Sequence, residues 1–374
     1  MTTSKKHTKI LYLTLRSDWG GAPKHIDLLF NNIGTDFNIY FAAPISEPYG
    51  ISWHHSVGKE RFFELEHRRF SFIKLLQLRS FIKKNDICII HAHGKGAGLY
   101  ARFVKLLLFS RVKLILTFHG LHIDQYNPLK KNLYLFYERI LSRYTDLFIN
   151  VSEGEKANCV KNRIFKPSKS VVIYNAIQRV TAHKTKPETR SDLNLPNDKF
   201  IILSLLRFSF AKNIEATLDI AQILKYDNRF QFVLVGDGET KQEVKERITQ
   251  GNINNIILTG FKNNPNDYII ASDVYLSTSR WEGLPFALIE ATMLGLPAVV
   301  SDVTGNNEVI KNLYNGKLFR LGDIQVAADY IVEICTNKNI AEQYSTNAKV
   351  YFEEHFSVER MVNQTKDIYN KFGF

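Results

Sequence analysis

The sequence predicts an α/β protein with two doubly wound domains, each built around a parallel sheet. The chain has 374 residues, enough for two domains that each bury a core. Short apolar runs alternate with segments of helical periodicity, which is typical of repeated βαβ units. The runs are almost continuously hydrophobic, as expected for parallel strands covered on both faces. The series restarts near residue 199, which predicts a second sheet.

The first half contains five runs that we interpret as buried strands: KILYLTL (9–15), FNIYFAA (37–43), ICIIHAH (87–93), KLILTFH (113–119) and DLFINVS (146–152). A helix is predicted over 22–32. Another is predicted over 70–84, and it is basic and rich in Phe and Leu. It fits either an interfacial amphipathic helix or a core helix, and its widely spread apolar residues favour the core.

The second half repeats this pattern after a polar stretch, 179–199, that we interpret as a linker. Strands are predicted at 199–208, 230–236, 255–261 and 273–279. Helices are predicted between them, at 213–225 and 241–250. We therefore expect domains at 1–178 and 179–354. Open sheets of this kind bind ligands beyond the carboxyl ends of their strands, so we expect the active site there.

Charge is distributed unevenly between the two halves. Residues 1–178 hold 27 Lys and Arg against 13 Asp and Glu, a net charge of +14, whereas the remainder holds 22 against 24. This asymmetry indicates that the first half binds an anionic partner, either a membrane surface or a nucleic acid, or that it simply has a basic, solvated surface. No nucleic-acid-binding motif is present, so we expect no nucleic acid.

The cellular compartment is predicted from cysteines and apolar runs. Three distant cysteines are typical of a reducing compartment. The first apolar run is too short for a signal peptide, and no run reaches the length of a membrane-spanning helix. We expect a cytoplasmic protein.

The strongest local motif is RWEGLPFALIEATMLGLPAVVSD (280–302), in which seven residues separate Glu282 from Glu290. Gly283 breaks the chain after the first glutamate, and a helix is predicted to begin near Phe286. A carboxylate is a good acceptor for vicinal hydroxyls such as those of a ribose.

This block resembles the E-x7-E motif of family 4 glycosyltransferases, which are retaining enzymes with the GT-B fold of two Rossmann-like domains facing across a cleft. The resemblance implies that Glu290 holds the donor ribose and that Glu282 contacts the transferred sugar. It also places Gly283 and Leu284 among the donor-binding residues.

A second motif, LLRFSFAKNIEATL (205–218), places two cations before a helix N-terminus, which is typical of an anion site. It resembles the family's G-R-x4-K-N stretch, so Arg207 and Lys212 correspond to its diphosphate clamp. Leu206 stands where glycine is common in the family.

Three further segments resemble donor-side loops of the family. LVGDGE (234–239) is similar to its V-G-x-G turn and includes Gly236. LTGF (258–261) resembles the segment that meets the nucleotide base and ends at Phe261. SDVTGNNEVI (301–310) resembles the family's loop before a helix that ends in a glutamate, here Glu308. Its Asn306 either contacts a sugar or caps the helix.

The first half carries looser matches. Gly20 and Gly21 resemble the family's G-G-A loop, where bare backbone approaches the diphosphate and the acceptor. His119 matches a strand-end histidine beside the reacting sugar, whereas HAHGKGAG (91–98) is interpreted as structural. The last helix, 355–374, resembles one that packs back on the first domain.

The resemblance implies a hexosyltransferase that uses a nucleotide sugar, most consistent with UDP, without a cofactor. We find no Asp-x-Asp pattern, so we expect no metal. The implied acceptor is a glycan or an undecaprenyl-linked sugar of lipopolysaccharide or capsule synthesis, near an anionic membrane. Two alternatives stay open: a nucleotide-sugar 2-epimerase and a non-catalytic sugar-nucleotide-binding protein.

Overall fold

The chain forms two compact units in a computed structural model that describes residues 7–108, 112–121, 123 and 126–373. The first unit comprises Met1–Ala176 with Val358–Phe374, and the second comprises Ile177–Ser357. Residue 374, at the end of the predicted last helix, lies outside the described residues. None of the helices that the structure describes combines the length and apolarity needed to cross a bilayer.

The first unit is built on a parallel sheet whose described part has seven strands: β1 (Thr8–Thr14), β2 (Phe37–Ala43), β3 (Phe62–Glu64), β4 (Ile89–His93), β5 (Lys113–Thr117), β6 (Leu147–Asn150) and β7 (Ser170–Val172). Their spatial order is β3-β2-β1-β4-β5-β6-β7. The intervening helices are α1 (Gly21–Asn32), α2 (Tyr49–Val57), α3 (Phe72–Lys84), α4 (Lys95–Leu107), α5 (Pro128–Leu141) and α6 (Glu153–Lys161).

Helices cover both faces of this sheet because successive strand residues point to opposite sides. Ile10 and Tyr12 of β1 join the apolar cluster that includes residues of α1 and α2. Leu11 and Leu13 of the same strand join the cluster formed with α3, α4, α5 and α6. The nearly continuous hydrophobicity of the predicted strands therefore reflects burial on two faces.

The second unit has a parallel sheet whose described part has six strands: β8 (Phe200–Leu205), β9 (Phe230–Val235), β10 (Ile256–Gly260), β11 (Val274–Ser277), β12 (Ala298–Ser301) and β13 (Gly316–Phe319). Their order is β10-β9-β8-β11-β12-β13. Its helices are α7 (Lys186–Asp192), α8 (Ile214–Leu224), α9 (Lys241–Gln250), α10 (Asn266–Ile270), α11 (Phe286–Met293), α12 (Asn306–Val309), α13 (Ile324–Thr336) and α14 (Lys338–His355).

The last helix, α15 (Val358–Phe372), belongs to the first unit. Met361, Val362 and Tyr369 are buried in the same apolar cluster as α1 and α2. Two segments that are far apart in sequence therefore form one core.

The prediction of a linker at 179–199 was wrong, because α7 lies within it. Glu188 accepts hydrogen bonds from the backbone N–H (2.8 Å) and hydroxyl (2.7 Å) of Thr185 and so stabilises the first turn. The buried Arg190 donates to Asp273 at 2.6 Å and to the carbonyl of Ala271 at 2.8 Å. Polar residues thus fasten this segment to the second unit.

Candidate active site

The six strands β8 to β13 follow the same spatial order as β1 to β6, and β7 is added at the edge of the first sheet. In both sheets successive strands are added first on one side of the first strand and then on its other side. Neighbouring loops diverge there, at β1 and β4 in one unit and at β8 and β11 in the other, and leave a crevice at the carboxyl edge. Gly20 follows β1, and His119 follows β5. Lys212 follows β8, and Glu282 follows β11. These four predicted site residues therefore lie at the carboxyl edges of the two sheets, which is where sheets of this order generally bind ligands.

Lys212 and Glu282 meet in the second unit, although 70 residues separate them. The Lys212 ammonium donates to Glu282 Oε1, and the Ser279 hydroxyl donates to the same oxygen at 2.6 Å. The side chains of Lys212 and Glu282 are 27% and 11% exposed, respectively. The predicted cation and the predicted sugar-contacting carboxylate thus form one cluster, which Ser279 joins without having been predicted.

Hydrogen bonds between two loops hold this cluster in place. Asn213 adopts a left-handed conformation (φ 52°) just before α8, and its amide donates to the carbonyl of Thr278 at 3.1 Å. The Thr278 hydroxyl donates back to the carbonyl of Asn213 at 2.9 Å. The Arg280 backbone N–H donates to the carbonyl of Ala211 at 2.8 Å. Lys212 is therefore positioned by its backbone rather than by its ion pair alone.

Glu290 lies one turn inside α11, as the sequence predicts, and is 9% exposed. Burial and the charges of Glu282 and Glu290 raise the pKa of Tyr275. The two carboxylates are therefore close enough to one strand residue to act on the same phenol. The role of Glu290 in ribose binding stays a prediction.

Arg207 has a different environment from Lys212. Its guanidinium pairs with Glu239 at 3.0 Å, and the two side chains are 65% and 55% exposed. The structure therefore brings Lys212 to Glu282 but gives Arg207 another partner. An exposed, weakly held guanidinium is free to reorient toward a diphosphate.

Gly236 and Gly238 are required by the packing of two adjacent loops. A Cβ atom added to Gly236, whose φ is 145°, would lie 1.8 Å from the carbonyl oxygen of Leu206. One added to Gly238 would lie 2.3 Å from that of Phe208. The Phe208 N–H also donates to the carbonyl of Asp237 at 2.9 Å. The turn that resembles a donor-binding motif is therefore held by direct contact between its backbone and the backbone of Leu206 and Phe208.

Two more segments that were predicted to face the donor follow strands of the same sheet. Phe261, directly after β10, is 53% exposed. In the loop after β12, a Cβ atom on Gly305 (φ 87°) would lie 2.7 Å from the carbonyl oxygen of Gly283. The loops bearing Gly305 and Glu282 are thus in contact, and the buried Leu284 anchors the second one.

The interpretation of Asn306 as a helix-capping residue was wrong, because α12 begins at Asn306 and its N-cap residue is Gly305; the sugar contact stays a prediction. Asn306 is fully buried, and its amide donates to the carbonyl of Ser301 at 3.1 Å and to the Ser301 hydroxyl at 3.2 Å. The side chain stabilises its own loop at the start of α12.

The Gly20–Gly21 loop begins α1 in the first unit. Gly20 is the N-cap residue and provides no side-chain cap. Arg16 forms two hydrogen bonds of 2.8 Å with Asp18 and donates to the carbonyl of Trp19 at 2.9 Å. Burial alone would raise the pKa of Asp18, but the bonds and charge of Arg16 outweigh it and lower that pKa. The loop is thus stiffened while the N-terminus of α1 stays uncapped by side chains.

His119 belongs to a cluster of imidazoles that the sequence did not reveal as a unit. Its Nε2 lies 3.0 Å from Nδ1 of His93, and its ring centroid lies 4.8 Å from that of His25. Nδ1 of His25 is 3.1 Å from Oδ1 of Asn175, so the two side chains form a hydrogen bond. His25 and Asn175 were missed because they contact across 150 residues, which leaves no sequence pattern.

His91 fixes the neighbouring strand end. Its Nδ1 lies 2.6 Å from the Tyr369 hydroxyl, and its Nε2 lies 2.9 Å from the Thr117 hydroxyl. Both nitrogens are used within the core, so the structural interpretation of this residue fits its contacts.

The backbone at His119 is strained. Its φ is 59°, an uncommon value for a residue with a side chain, and Gly120 follows with φ 108°. The buried Glu155 holds this turn, since one carboxylate oxygen accepts from the Gly120 N–H and the other accepts from the Val151 N–H at 2.8 Å. Such a conformation persists only where its surroundings impose it, and it is typical of ligand-contacting residues.

Burial keeps the imidazole cluster neutral. It lowers the pKa of His25 to about 4 and lowers the pKa values of His91, His93 and His119 well below their usual range. Ring nitrogens of His25, His93 and His119 lie within 4.8 Å of one another, which makes these three a possible metal-binding group among the residues the structure describes. Neutral imidazoles also hydrogen-bond sugar hydroxyls without charge.

We expect the free energy of unfolding to fall as pH drops from about 7 to about 4. The folded pKa values lie below the unfolded value near 6.5, so unfolding takes up protons in this window. Each ring contributes about 1.4 kcal/mol per pH unit between its two pKa values. Chemical unfolding across pH measures the slope. The dependence of the unfolding free energy on pH should become shallower in His25→Gln but not in the control His55→Gln, which replaces an exposed histidine. An unchanged dependence in His25→Gln would refute the lowered pKa of His25.

Family comparisons agree with this geometry. A model described as Glycosyl transferases group 1 matches residues 185–351, and one described as Glycosyltransferase Family 4 matches 25–179. An Escherichia coli UDP-Gal:alpha-D-GlcNAc-diphosphoundecaprenol alpha-1,3-galactosyltransferase is 28% identical over 315 residues, 81% of each chain. The Staphylococcus aureus capsular polysaccharide biosynthesis glycosyltransferase CapH is 27% identical over 319 residues, covering 80% of this chain and 83% of that protein.

Solved structures show the same fold at low identity. Anabaena HepE in complex with UDP-glucose has a TM-score of 0.84 and 18% identity, with 98% of this chain and 100% of that chain covered. Sucrose-phosphate synthase from Thermosynechococcus elongatus has a TM-score of 0.80 and 18% identity, with 98% and 99% covered. The chain has two Rossmann-like units, the two family models match most of its length, and the E-x7-E glutamates lie at a sheet edge. The chain therefore belongs to the family 4 glycosyltransferases of the GT-B fold.

Proposed function

We propose that this glycosyltransferase moves a hexose from a UDP-sugar to a lipid-linked or polysaccharide acceptor, with retention of configuration and without a metal. The observation that carries the proposal is the cluster of Lys212, Ser279 and Glu282 at the carboxyl edge of β8 and β11, with Glu290 close by. It combines a cation for a phosphate with carboxylates for hydroxyl groups.

The chemistry assigned to the second unit is leaving-group stabilisation. The bond between the sugar C1 and the diphosphate oxygen breaks, and negative charge develops on the departing nucleoside diphosphate. Lys212 and Arg207 stabilise that charge, which is the task a metal ion performs in other transferases. The acceptor oxygen bonds to C1 on the face that the diphosphate leaves, and its proton passes to the diphosphate oxygen. Configuration at C1 is then retained.

The roles of the first unit follow from its neutral histidines and open helix N-terminus. His119 hydrogen-bonds the transferred sugar or positions the acceptor, and the backbone at Gly20 and Gly21 approaches the diphosphate. The E. coli relative is named for a diphosphoundecaprenol acceptor, and the S. aureus relative for capsule synthesis. These names support a cell-surface glycan acceptor here. The location that we propose, at the cytoplasmic face of a membrane, rests on the lipid-linked acceptor and the basic first half of the chain.

The two alternatives have less support. The quoted relatives are named as glycosyltransferases, not epimerases. A purely binding role would leave the donor intact, so turnover separates it from transfer.

Donor binding is the first experiment. Thermal unfolding of the purified protein is measured with UDP-, GDP- and ADP-sugars at concentrations far above their expected Kd. A ligand that binds only the folded state raises Tm, with about 2.7 kcal/mol of stabilisation at 100-fold excess over Kd. We expect a rise with UDP-sugars alone, and its loss in Glu290→Ala and Arg207→Ala.

Turnover then separates the possible activities. We expect donor consumption only with an acceptor present, unchanged by EDTA, and a product whose anomeric configuration by NMR matches the donor. Epimerised nucleotide sugar formed without acceptor would establish the 2-epimerase. Failure of every nucleotide sugar to shift Tm would refute the proposed function.

A further inference from the structure

An apolar stripe runs along the outer side of α5 in the first unit. Leu129, Leu133, Phe136 and Ile140 are 81%, 67%, 61% and 42% exposed. Their spacings of four, three and four residues place them on one line of a helix with 3.6 residues per turn. The side of α5 that packs into the core carries Leu135 instead. The stripe therefore points away from the core.

The charges that border this stripe on α5 are positive where they are exposed. Lys130 and Arg139 lie on either side of it, and Arg143 follows just after the helix. The one carboxylate in this helix, Glu138, is buried and pairs with Arg102 at 2.8 Å. The exposed side of α5 thus combines apolar side chains with cations and carries no carboxylate.

Helix α3 presents a similar surface in the same layer of the unit. Phe72, Ile73 and Leu76 of this helix are 64%, 70% and 44% exposed, and Phe70, just before its N-cap residue, is 44% exposed. Residues 68–84 contain six Lys and Arg and no Asp or Glu. Core residues of α3 and α5 belong to the same apolar cluster, so both helices cover the same face of the sheet.

We infer that these outer sides of α3 and α5, the α3–α5 face, dock on an anionic lipid bilayer. Exposed apolar side chains bordered by Lys and Arg enter the boundary between headgroups and acyl chains, where anionic lipids attract the cations. A second copy of this chain is a poor occupant, because its own cations would face those of the first. The inference rests on the proposed function in that a lipid-linked acceptor places the substrate at such a surface.

Vesicle sedimentation tests this inference with the full chain. Vesicles of phosphatidylcholine alone are compared with vesicles that also contain phosphatidylglycerol. We expect at least tenfold stronger partitioning onto the anionic vesicles, weakened by high salt. The stripe variant Leu133→Gln/Phe136→Gln and the charge variant Lys130→Gln/Arg143→Gln should each lower it at least tenfold. The matched control Ile223→Gln/Val350→Gln removes exposed apolar residues from helices of the second unit and should leave it unchanged.

Three outcomes would overturn the inference: sedimentation of the stripe variant equal to that of the wild-type protein, equal partitioning onto both vesicle types, or a lipid-free dimer in analytical ultracentrifugation that the stripe variant dissociates. The Tm rise with UDP-sugar is measured on the same proteins. Its retention in a variant that no longer sediments shows an intact fold and donor site. Its absence in the wild-type protein refutes the proposed function independently of vesicle binding.

Discussion

Lys212→Ala is expected to lower kcat by about 10²- to 10³-fold, which corresponds to about 2.7–4 kcal/mol of lost transition-state stabilisation. The substitution removes the cation that contacts Glu282 and is assigned to the leaving diphosphate. Because that charge develops as the bond to C1 breaks, kcat should fall more than KM rises. Steady-state transfer of radiolabelled sugar, at a temperature well below the Tm of both proteins, measures the two constants.

The matched control for this variant is Lys241→Ala. Lys241 also forms an ion pair with a carboxylate, Asp237, on the loop after β9, but it is not assigned to the diphosphate. We expect its kcat within about twofold of the wild-type value, as for other exposed ion pairs. A Lys212→Ala enzyme that retained a third or more of wild-type kcat would show that the leaving group is stabilised elsewhere.

Gly236→Ala is expected to lower the free energy of unfolding by about 3 kcal/mol or more, a large part of a typical domain's stability. The added methyl group would lie 1.8 Å from the carbonyl oxygen of Leu206, and φ at this position is 145°. Overpacking and backbone strain therefore act together. Denaturant unfolding monitored by fluorescence measures the loss, since three tryptophans are present.

Gly322→Ala serves as the control for backbone strain alone. Gly322 has φ 98°, but an added Cβ atom there has no neighbour within 4 Å in the described part of the chain. We expect a loss of about 1–2 kcal/mol. Equal losses in the two variants would show that the loops after β8 and β9 separate easily, and that the close approach of Gly236 to Leu206 does not limit stability.

The longer strands of the first sheet were predictable because their side chains are buried on both faces, as in β1 and β2. FNIYFAA was predicted at 37–43 and is found there. The strand predicted at 113–119 ends earlier, at Thr117. Phe118 is buried and apolar although it lies beyond the strand, so the sequence pattern extends past the strand end. Strand β3 has three residues, too few to produce a periodic pattern.

The candidate site was predictable where its chemistry lies within one short segment. Glu282 and Glu290 flank the start of one helix, so the whole E-x7-E block lies in one segment and its resemblance to the family motif can be recognised in the sequence. The partnership of Lys212 with Glu282 depends on two strands being neighbours, which required the sheet order. The hydrogen bond between His25 and Asn175 and the anchoring of Gly120 by Glu155 join distant segments, and only the folded chain reveals them.

Helix α15 has a consequence for synthesis on the ribosome. Tyr369 is fully buried in the first unit and lies 2.6 Å from His91, 278 residues earlier in the chain. All of Ile177–Ser357 is translated between the start of that unit and the helix that completes its core. Domains usually finish folding in the order in which they emerge. In this protein the unit that emerges first is completed last, so the nascent first unit exposes the apolar groove for α15 while the second unit is being made.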